Sequence, residues 1–113
     1  MNINVNNVKI CVTVPSSNLD EVRKAMFNSG AGEIGTNYKE CSTIVKSIGS
    51  FKPINNASPA IGELNKLEFV EEDKLEVICK VDKVKEVVNA IKKVRPYEEP
   101  VIDIYPLLDI ESF

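Results

Sequence analysis

Apolar and polar side chains alternate along two segments of this chain, which predicts two half-buried β-strands. The first segment runs from Val8 to Val14, where every second residue is valine or isoleucine. The second runs from Leu67 to Val81 and alternates most clearly in its last seven residues. Side chains of an extended strand point alternately to opposite faces, so each strand would turn one apolar face toward a core.

Two helices are predicted from a different spacing of apolar residues. The first would begin with a capping box at Asn18 and Glu21, continue through about Ser29 and end with Gly30 as its cap. The second would begin with Asp82 as its N-cap. Its buried face follows the spacing of three and four residues that is typical of an amphipathic helix: Val84, Val87, Val88, Ile91 and Val94.

Two further strands and one long connection complete the predicted order of elements. β-Branched residues favour a strand at about Tyr38 to Ser47, and a last strand is expected from Val101 to Tyr105 with Ile102 and Ile104 inward. Glycines, prolines and asparagines in residues 49–66 predict a long, irregular connection.

The order strand, helix, strand, strand, helix, strand favours an α+β fold with ferredoxin-like architecture. In that fold a four-stranded antiparallel sheet carries both helices on one face. Residues 1–113 are enough for a single domain with its own core. The second sheet face would be open and would carry Ile78, Val101 and Tyr105 among polar side chains, which predicts self-association through the sheet.

Composition excludes several classes of partner. Lysine and arginine number 14 against 17 aspartates and glutamates, so the chain has no broad basic field for nucleic acid. No apolar run approaches the roughly 20 residues of a membrane helix. Three widely spaced cysteines without a C-x-x-C pair favour a reducing compartment. We therefore expect a cytoplasmic protein without nucleic-acid or membrane partners.

The chain contains no histidine, which is the commonest transition-metal ligand and neutral-pH base. It also has no glycine-rich phosphate-binding motif. An enzyme would then depend on thiols or carboxylates. Cys41, with Lys39 expected on the same strand side, is the candidate nucleophile, and a buried structural thiol is the alternative. No catalytic residue, metal ligand or cofactor is assigned.

The segment "RPYEEPVIDIYP" places Glu98 and Glu99 between two prolines. Neighbouring side chains diverge in an extended backbone, so these carboxylates make a poor acid-base pair. They would pair with Arg95 or a lysine, or they would join Asp103 as oxygen ligands of a hard cation. Four aromatic residues would either line a pocket or anchor the irregular segments: Tyr38, Phe51, Tyr97 and Tyr105.

Four motifs together carry a family resemblance: "GAGEIGTNYKECS", "GSFKP", "ASPAIGELNKLEFVEE" and "RPYEEPVIDIYPL". In this order they resemble the small domain inserted in bacterial members of the NGG-interacting-factor-three-like family, the YqfO subgroup. The resemblance extends from about Val8 to Leu108. It implies a domain similar to CutA and to the PII signalling proteins, with a sheet that tends to oligomerise.

The same resemblance limits what is carried over from the family. Its two-metal site belongs to the large flanking domain, whose motifs have no counterpart here, so the chain looks like the insert standing alone. Arg95 replaces the family's usual histidine, Thr36 is an insertion, and Thr43 stands where an aromatic residue is usual. Any imidazole-dependent role of the relatives is therefore absent.

Three functions remain as alternatives. The first is a non-enzymatic homo-oligomer, a dimer or trimer of CutA- or PII-like type, that binds a small ligand or a protein partner. The second is a CutA-like protein that binds divalent metal ions. The third, ranked last, is an enzyme that uses Cys41 or Glu98. For the first function the expected ligand-binding residues are Tyr38, Cys41, Phe51, Pro53, Tyr97, Glu98, Glu99 and Tyr105.

Overall fold

One antiparallel sheet and two helices form the structure, a computed structural model that describes residues 4–94 and 100–113. The elements are β1 Asn7–Val14, α1 Leu19–Asn28, β2 Thr43–Phe51, β3 Glu68–Lys80, α2 Val84–Val94 and β4 Ile102–Leu107. The strands lie in the order β2-β3-β1-β4, and each neighbouring pair is antiparallel. Both helices pack on the same face of the sheet. The predicted ferredoxin-like α+β architecture is confirmed.

The core lies between the two helices and the inward face of the central strands β1 and β3. Its side chains are at most 2% exposed, and burial of each large one stabilises the fold by about 1.5 to 3 kcal/mol. The predicted strand alternation and helix faces supply these residues, so both are confirmed. The core side chains are Val8, Ile10, Val12, Val14, Leu75, Val77 and Cys79 from the strands, Val22, Met26, Val87 and Ile91 from the helices, and Ala31 from the loop after α1.

Neither helix begins with the side-chain cap that its sequence predicts. A 3-10 turn precedes each helix, Ser16–Asn18 before α1 and Val81–Lys83 before α2. Asn18 makes no capping hydrogen bond, and its side-chain oxygen accepts from the Ser17 hydroxyl at 3.3 Å. Asp82 lies inside the second turn rather than at the N-cap of α2. The capping prediction is wrong because each strand enters its helix through a tighter turn.

β2 lies several residues later in the chain than the sequence predicts. Gly30, with φ 110°, ends α1 as expected, and the Gly32 N–H then donates to the Ile78 carbonyl at 2.8 Å. This contact holds the next residues in a loop, so the strand begins at Thr43. β2 continues to Phe51, and the connection to β3 therefore comprises residues 52–67.

The last strand has the predicted orientation with slightly different bounds. Ile102 and Ile104 pair with Val12 and Ile10, so they lie on the helix-bearing face. Tyr105 faces the open side, although β4 itself extends on to Leu107. Neither helix in the two described ranges is long and apolar enough to cross a membrane.

The buried face of α2 provides a test of the core. We expect Val87→Asp to abolish cooperative unfolding, because a buried unpaired charge costs about 3 to 5 kcal/mol and a small domain has a net stability of only about 5 to 15 kcal/mol. Thermal unfolding followed by circular dichroism measures this. Asn89→Asp, at an exposed position of the same helix, should retain the transition. A sharp transition in Val87→Asp would contradict the assignment.

Candidate functional site

Tyr38 and Cys41 lie on an ordered loop between α1 and β2. The Cys41 N–H donates to the Gly32 carbonyl at 2.9 Å, and the Ile34 N–H donates to the Tyr38 carbonyl at 3.0 Å. These two backbone hydrogen bonds order the loop, and the hydrogen bond from Gly32 to Ile78 fixes it against β3. The Tyr38 side chain is 70% exposed. It is therefore available for contact with another molecule and does not anchor the loop by burial.

The surroundings of Cys41 differ from those expected for an activated thiol. Its Sγ lies 3.7 Å from the backbone carbonyl of Lys39, toward which the thiol donates. The Lys39 ammonium lies 4.0 Å from the Glu33 carboxylate instead. Because both residues precede β2, the strand geometry that suggested a Lys39–Cys41 pair does not apply. A thiolate nucleophile needs a nearby positive charge or base, and the described contacts of Cys41 do not supply one.

Phe51 and Pro53 lie at the opposite end of β2. Phe51 pairs with Glu68, and the Asn65 N–H donates to the Pro53 carbonyl at 2.6 Å where the connection folds back. Gly62 has φ 88°, and a Cβ built there would lie 3.3 Å from the Phe51 ring. Pro53 is buried and Phe51 half-buried. Both residues therefore pack under the irregular connection.

The described candidate residues do not form one site within a single chain. Tyr105 and Ile78 both pair with Lys9, so Tyr105 lies in the same row of the sheet as the Tyr38–Cys41 loop. Three interstrand spacings, roughly 14 Å, separate Tyr105 from Gly32, to which this loop is hydrogen-bonded. Phe51 lies eight residues along β2 from its start, roughly 26 Å. Tyr97, Glu98 and Glu99 fall outside the described residues.

β2 and β3 extend beyond the other strands as a projecting hairpin. β1 follows β3 only to Asp73, whereas β2 follows β3 to Glu68, so this part of the sheet has two strands. On the helix-bearing side the hairpin exposes apolar residues: Ile48 is 72% exposed and Phe69 is 68% exposed. A two-stranded ribbon is marginally stable alone, and exposed apolar side chains on it are typical of a contact surface.

A buried carboxylate on β3 lies where β1 ends and the hairpin leaves the rest of the sheet. Asp73 is fully buried on the inward face of β3, and its Oδ1 lies 2.7 Å from the Lys46 Nζ on β2. The Lys46 ammonium holds the pKa of Asp73 below its ordinary value of 3.8, burial opposes this effect, and the Ser16 hydroxyl reinforces it. This ion pair was not predicted from the sequence. The signal available in the sequence was an acidic residue, Asp73, in the row of inward-facing positions that Leu75 and Val77 occupy.

The remaining thiols lie on opposite faces of the sheet. Cys79 belongs to the core, and Cys11 lies on the open face between Glu76 and Asp103, its partners on the neighbouring strands. Burial raises the pKa of both thiols. Within residues 4–94 and 100–113, no three acidic, cysteine or histidine side chains are placed to hold a metal ion.

Comparison with known proteins identifies relatives of this fold. No family model matches the chain. The GTP cyclohydrolase 1 type 2 homolog of Listeria innocua is 48% identical over 99 residues, which cover 88% of this chain and 26% of that protein. A crystal structure of a Bacillus cereus protein related to NIF3 matches with a TM-score of 0.79 and 35% identity, covering 96% of this chain and 27% of the other. The chain thus spans about a quarter of the length of these relatives.

A second group of solved structures shares the fold at lower identity. The periplasmic divalent cation tolerance protein CutA from Archaeoglobus fulgidus matches with a TM-score of 0.68 and 20% identity. This match covers 91% of the present chain and 85% of the CutA chain. At that identity the likeness shows the fold alone. The first group confirms the family resemblance expected from the motifs, and the second confirms the CutA-like fold.

Replacement of Asp73 should change how stability depends on pH. Because the folded-state pKa is lowered, the ionised carboxylate stabilises the fold above its ordinary pKa of 3.8, and this contribution is lost as the pH falls through the lower folded-state value. We expect Asp73→Asn to lower the free energy of unfolding near neutral pH, by an amount that shrinks below pH 3.8. Urea denaturation near neutral pH and again below pH 3.8 measures this difference in the free energy of unfolding.

Glu71→Gln is the matched control for Asp73→Asn, since Glu71 is an exposed acid on the same face of the same strand. It should change the free energy of unfolding little at either pH. A destabilisation by Asp73→Asn that is equal at both pH values would show that the ion pair does not account for the effect.

Proposed function

This chain is homologous to one segment of the NIF3-related GTP cyclohydrolase 1 type 2 homologs, and from this relationship we propose that it is a cytoplasmic, homo-oligomeric, single-domain module that binds a small ligand or a protein partner. The proposed role is regulatory rather than catalytic. Cyclohydrolase activity is not part of the proposal, because the chain corresponds to about a quarter of the proteins that carry that name.

The projecting hairpin is the observation that carries this proposal. Ile48 and Phe69 lie on the side of the sheet that the helices cover elsewhere, yet both side chains are largely exposed. β2 and β4 are also the two edges of the sheet and can extend their pairing to another chain. A second copy of the chain would cover the hairpin and remove its apolar surface from water.

Assembly would also explain why the candidate residues lie far apart within one chain. Phe51 is at the end of the hairpin, whereas Tyr105 and the Tyr38–Cys41 loop lie near the other end of the sheet. A hairpin that extends from one copy across the sheet of the next would bring residues from these two regions close together. The proposed ligand site therefore lies between subunits.

Binding of divalent cations is the second candidate function. Its support is the name of the CutA proteins, which associates them with divalent cation tolerance. In this chain it would depend on the oxygen ligands Glu98, Glu99 and Asp103. Asp103 pairs with Cys11 on the open face, and the two glutamates lie outside the described residues.

The assembly part of the proposal is tested by the mass of the protein in solution. Light scattering at micromolar concentration should give a multiple of the 12.5 kDa chain mass. Ile48→Lys should shift the mass toward a single chain, because it places a charge in the proposed contact. Ile110→Lys, at an exposed position near the other end of the sheet, is the control and should leave the mass unchanged. A wild-type protein that is strictly monomeric would contradict the proposal.

A thermal-shift screen distinguishes the two candidate functions. A ligand at about 100 times its Kd should stabilise the protein by roughly 2.7 kcal/mol. We expect stabilisation by a nucleotide or small metabolite that Tyr105→Ala removes, with Lys24→Ala as the surface control. Stabilisation by divalent cations only, removed by Glu98→Gln together with Glu99→Gln, would favour the second function instead. A protein partner is indicated if neither class of ligand stabilises the chain.

A further inference from the structure

Burial of apolar side chains hardly distinguishes the two faces of β2. Ile44 points toward the helix-bearing side and is 43% exposed, whereas Val45 points to the open face and is 46% exposed. In an edge strand whose two faces are so alike, the hydrophobic pattern specifies the register of pairing only weakly. A slip of one residue would turn every side chain of β2 to the opposite face.

The connection from β2 to β3 does not select a register by itself. A short turn of defined type fixes the pairing of a tight hairpin, but these two strands are joined by the long, irregular connection of residues 52–67. β1 pairs with β3 only as far as Asp73. The hairpin beyond Asp73 therefore needs a contact of its own to hold β2 in one register.

The ion pair between Lys46 and Asp73 is such a contact. Val14, Asp73 and Lys46 are paired in one row across β1, β3 and β2, at the root of the hairpin. The Asp73 carboxylate is fully buried, and the Lys46 Nζ reaches its Oδ1 at 2.7 Å. Lys46 is also the only charged residue of β2. A slip of one residue in either direction would place Val45 or Ser47 opposite Asp73 and leave the buried carboxylate without its ammonium partner.

A buried ion pair of this kind contributes more to the choice of one arrangement than to stability. Loss of one partner leaves an uncompensated buried charge, whereas replacement of both partners by apolar residues is often neutral. A buried polar residue can likewise fix the register of a coiled coil. We propose that the Lys46–Asp73 pair sets the register of β2 on β3 and thereby decides which side chains of the hairpin face the helix-bearing side.

The register decides how the apolar residues of the hairpin are presented. Ile48 pairs with Glu71 and Phe69 pairs with Ser50, so the Ile48 and Phe69 side chains are diagonal neighbours on one face. A slip would move Ile48 to the open face and leave Phe69 where it is. Because a second copy covers these two residues in the proposed function, this consequence for assembly rests on that proposal, whereas the register itself does not.

Nuclear Overhauser effects between backbone protons test this inference, because they report which residues of β2 and β3 lie opposite each other. The wild-type chain should give one set of contacts, including that of Ile48 with Glu71. Lys46→Met together with Asp73→Leu should retain cooperative thermal unfolding but add a second set, offset by one residue. We expect this second set to have at least a tenth of the intensity of the first. Lys46→Arg, which keeps the charge, should give one set only.

Lys66→Met together with Glu63→Leu is the matched control, since it removes an ion pair of the same 2.7 Å length between two exposed side chains of the connection. It should leave one set of contacts. A single register in the folded variant with both Lys46→Met and Asp73→Leu would overturn the inference. If that variant does not fold, Asp73→Asn, which keeps the size of the side chain, replaces it. A second register there supports the inference, and a single register refutes it.

The mass in solution separates this inference from the proposed function. If the wild-type chain is monomeric, the proposed assembly fails, but a second register in the variant without the Lys46–Asp73 pair still supports the role of the pair. If the wild-type chain is oligomeric and that variant keeps a single register, the role of the pair is refuted and assembly is not. If both proposals hold, the same variant shows two registers and its mass falls toward that of a single chain.

Discussion

The packing of the central strands β1 and β3 against both helices is the interaction on which the rest of the structure depends. Its side chains extend from Val8 to Ile91, so the core forms only when sheet and helices are all in place. The two edge strands contribute much less to it, since every fully buried strand residue of the core lies on β1 or β3. The edge strands β2 and β4 are therefore less constrained by core packing.

This division gives the two ends of the sheet different properties. At one end β2 and β3 continue as a hairpin, and the Asp73–Lys46 pair joins those two strands where β1 stops. At the other end the residues before β1 and after β4 lie side by side and line two grooves of mixed polar and apolar residues. Because the two surfaces share no residue, contacts at one need not interfere with contacts at the other.

The comparisons show the same fold in two contexts. It accounts for most of the Archaeoglobus fulgidus CutA chain and for about a quarter of the NIF3-related Bacillus cereus protein. A fold used in both ways does not specify a chemistry, and function must come from its surfaces. In this chain the most distinctive described surface is the projecting hairpin, on which Ile48 and Phe69 are exposed. This favours a binding module over a catalyst.

Sequence alone determined the central strands, the inward faces of both helices and hence the fold class. Each of these follows from contacts on one face of one element, which repeat within a few residues and can be read locally. Only the tertiary structure decided where β2 begins, how the helices start, which lysine neutralises Asp73 and how far Phe51 lies from Tyr105. The physical reason is that these features depend on register and on hydrogen bonds between distant segments, such as that from Gly32 to Ile78, which no local spacing encodes.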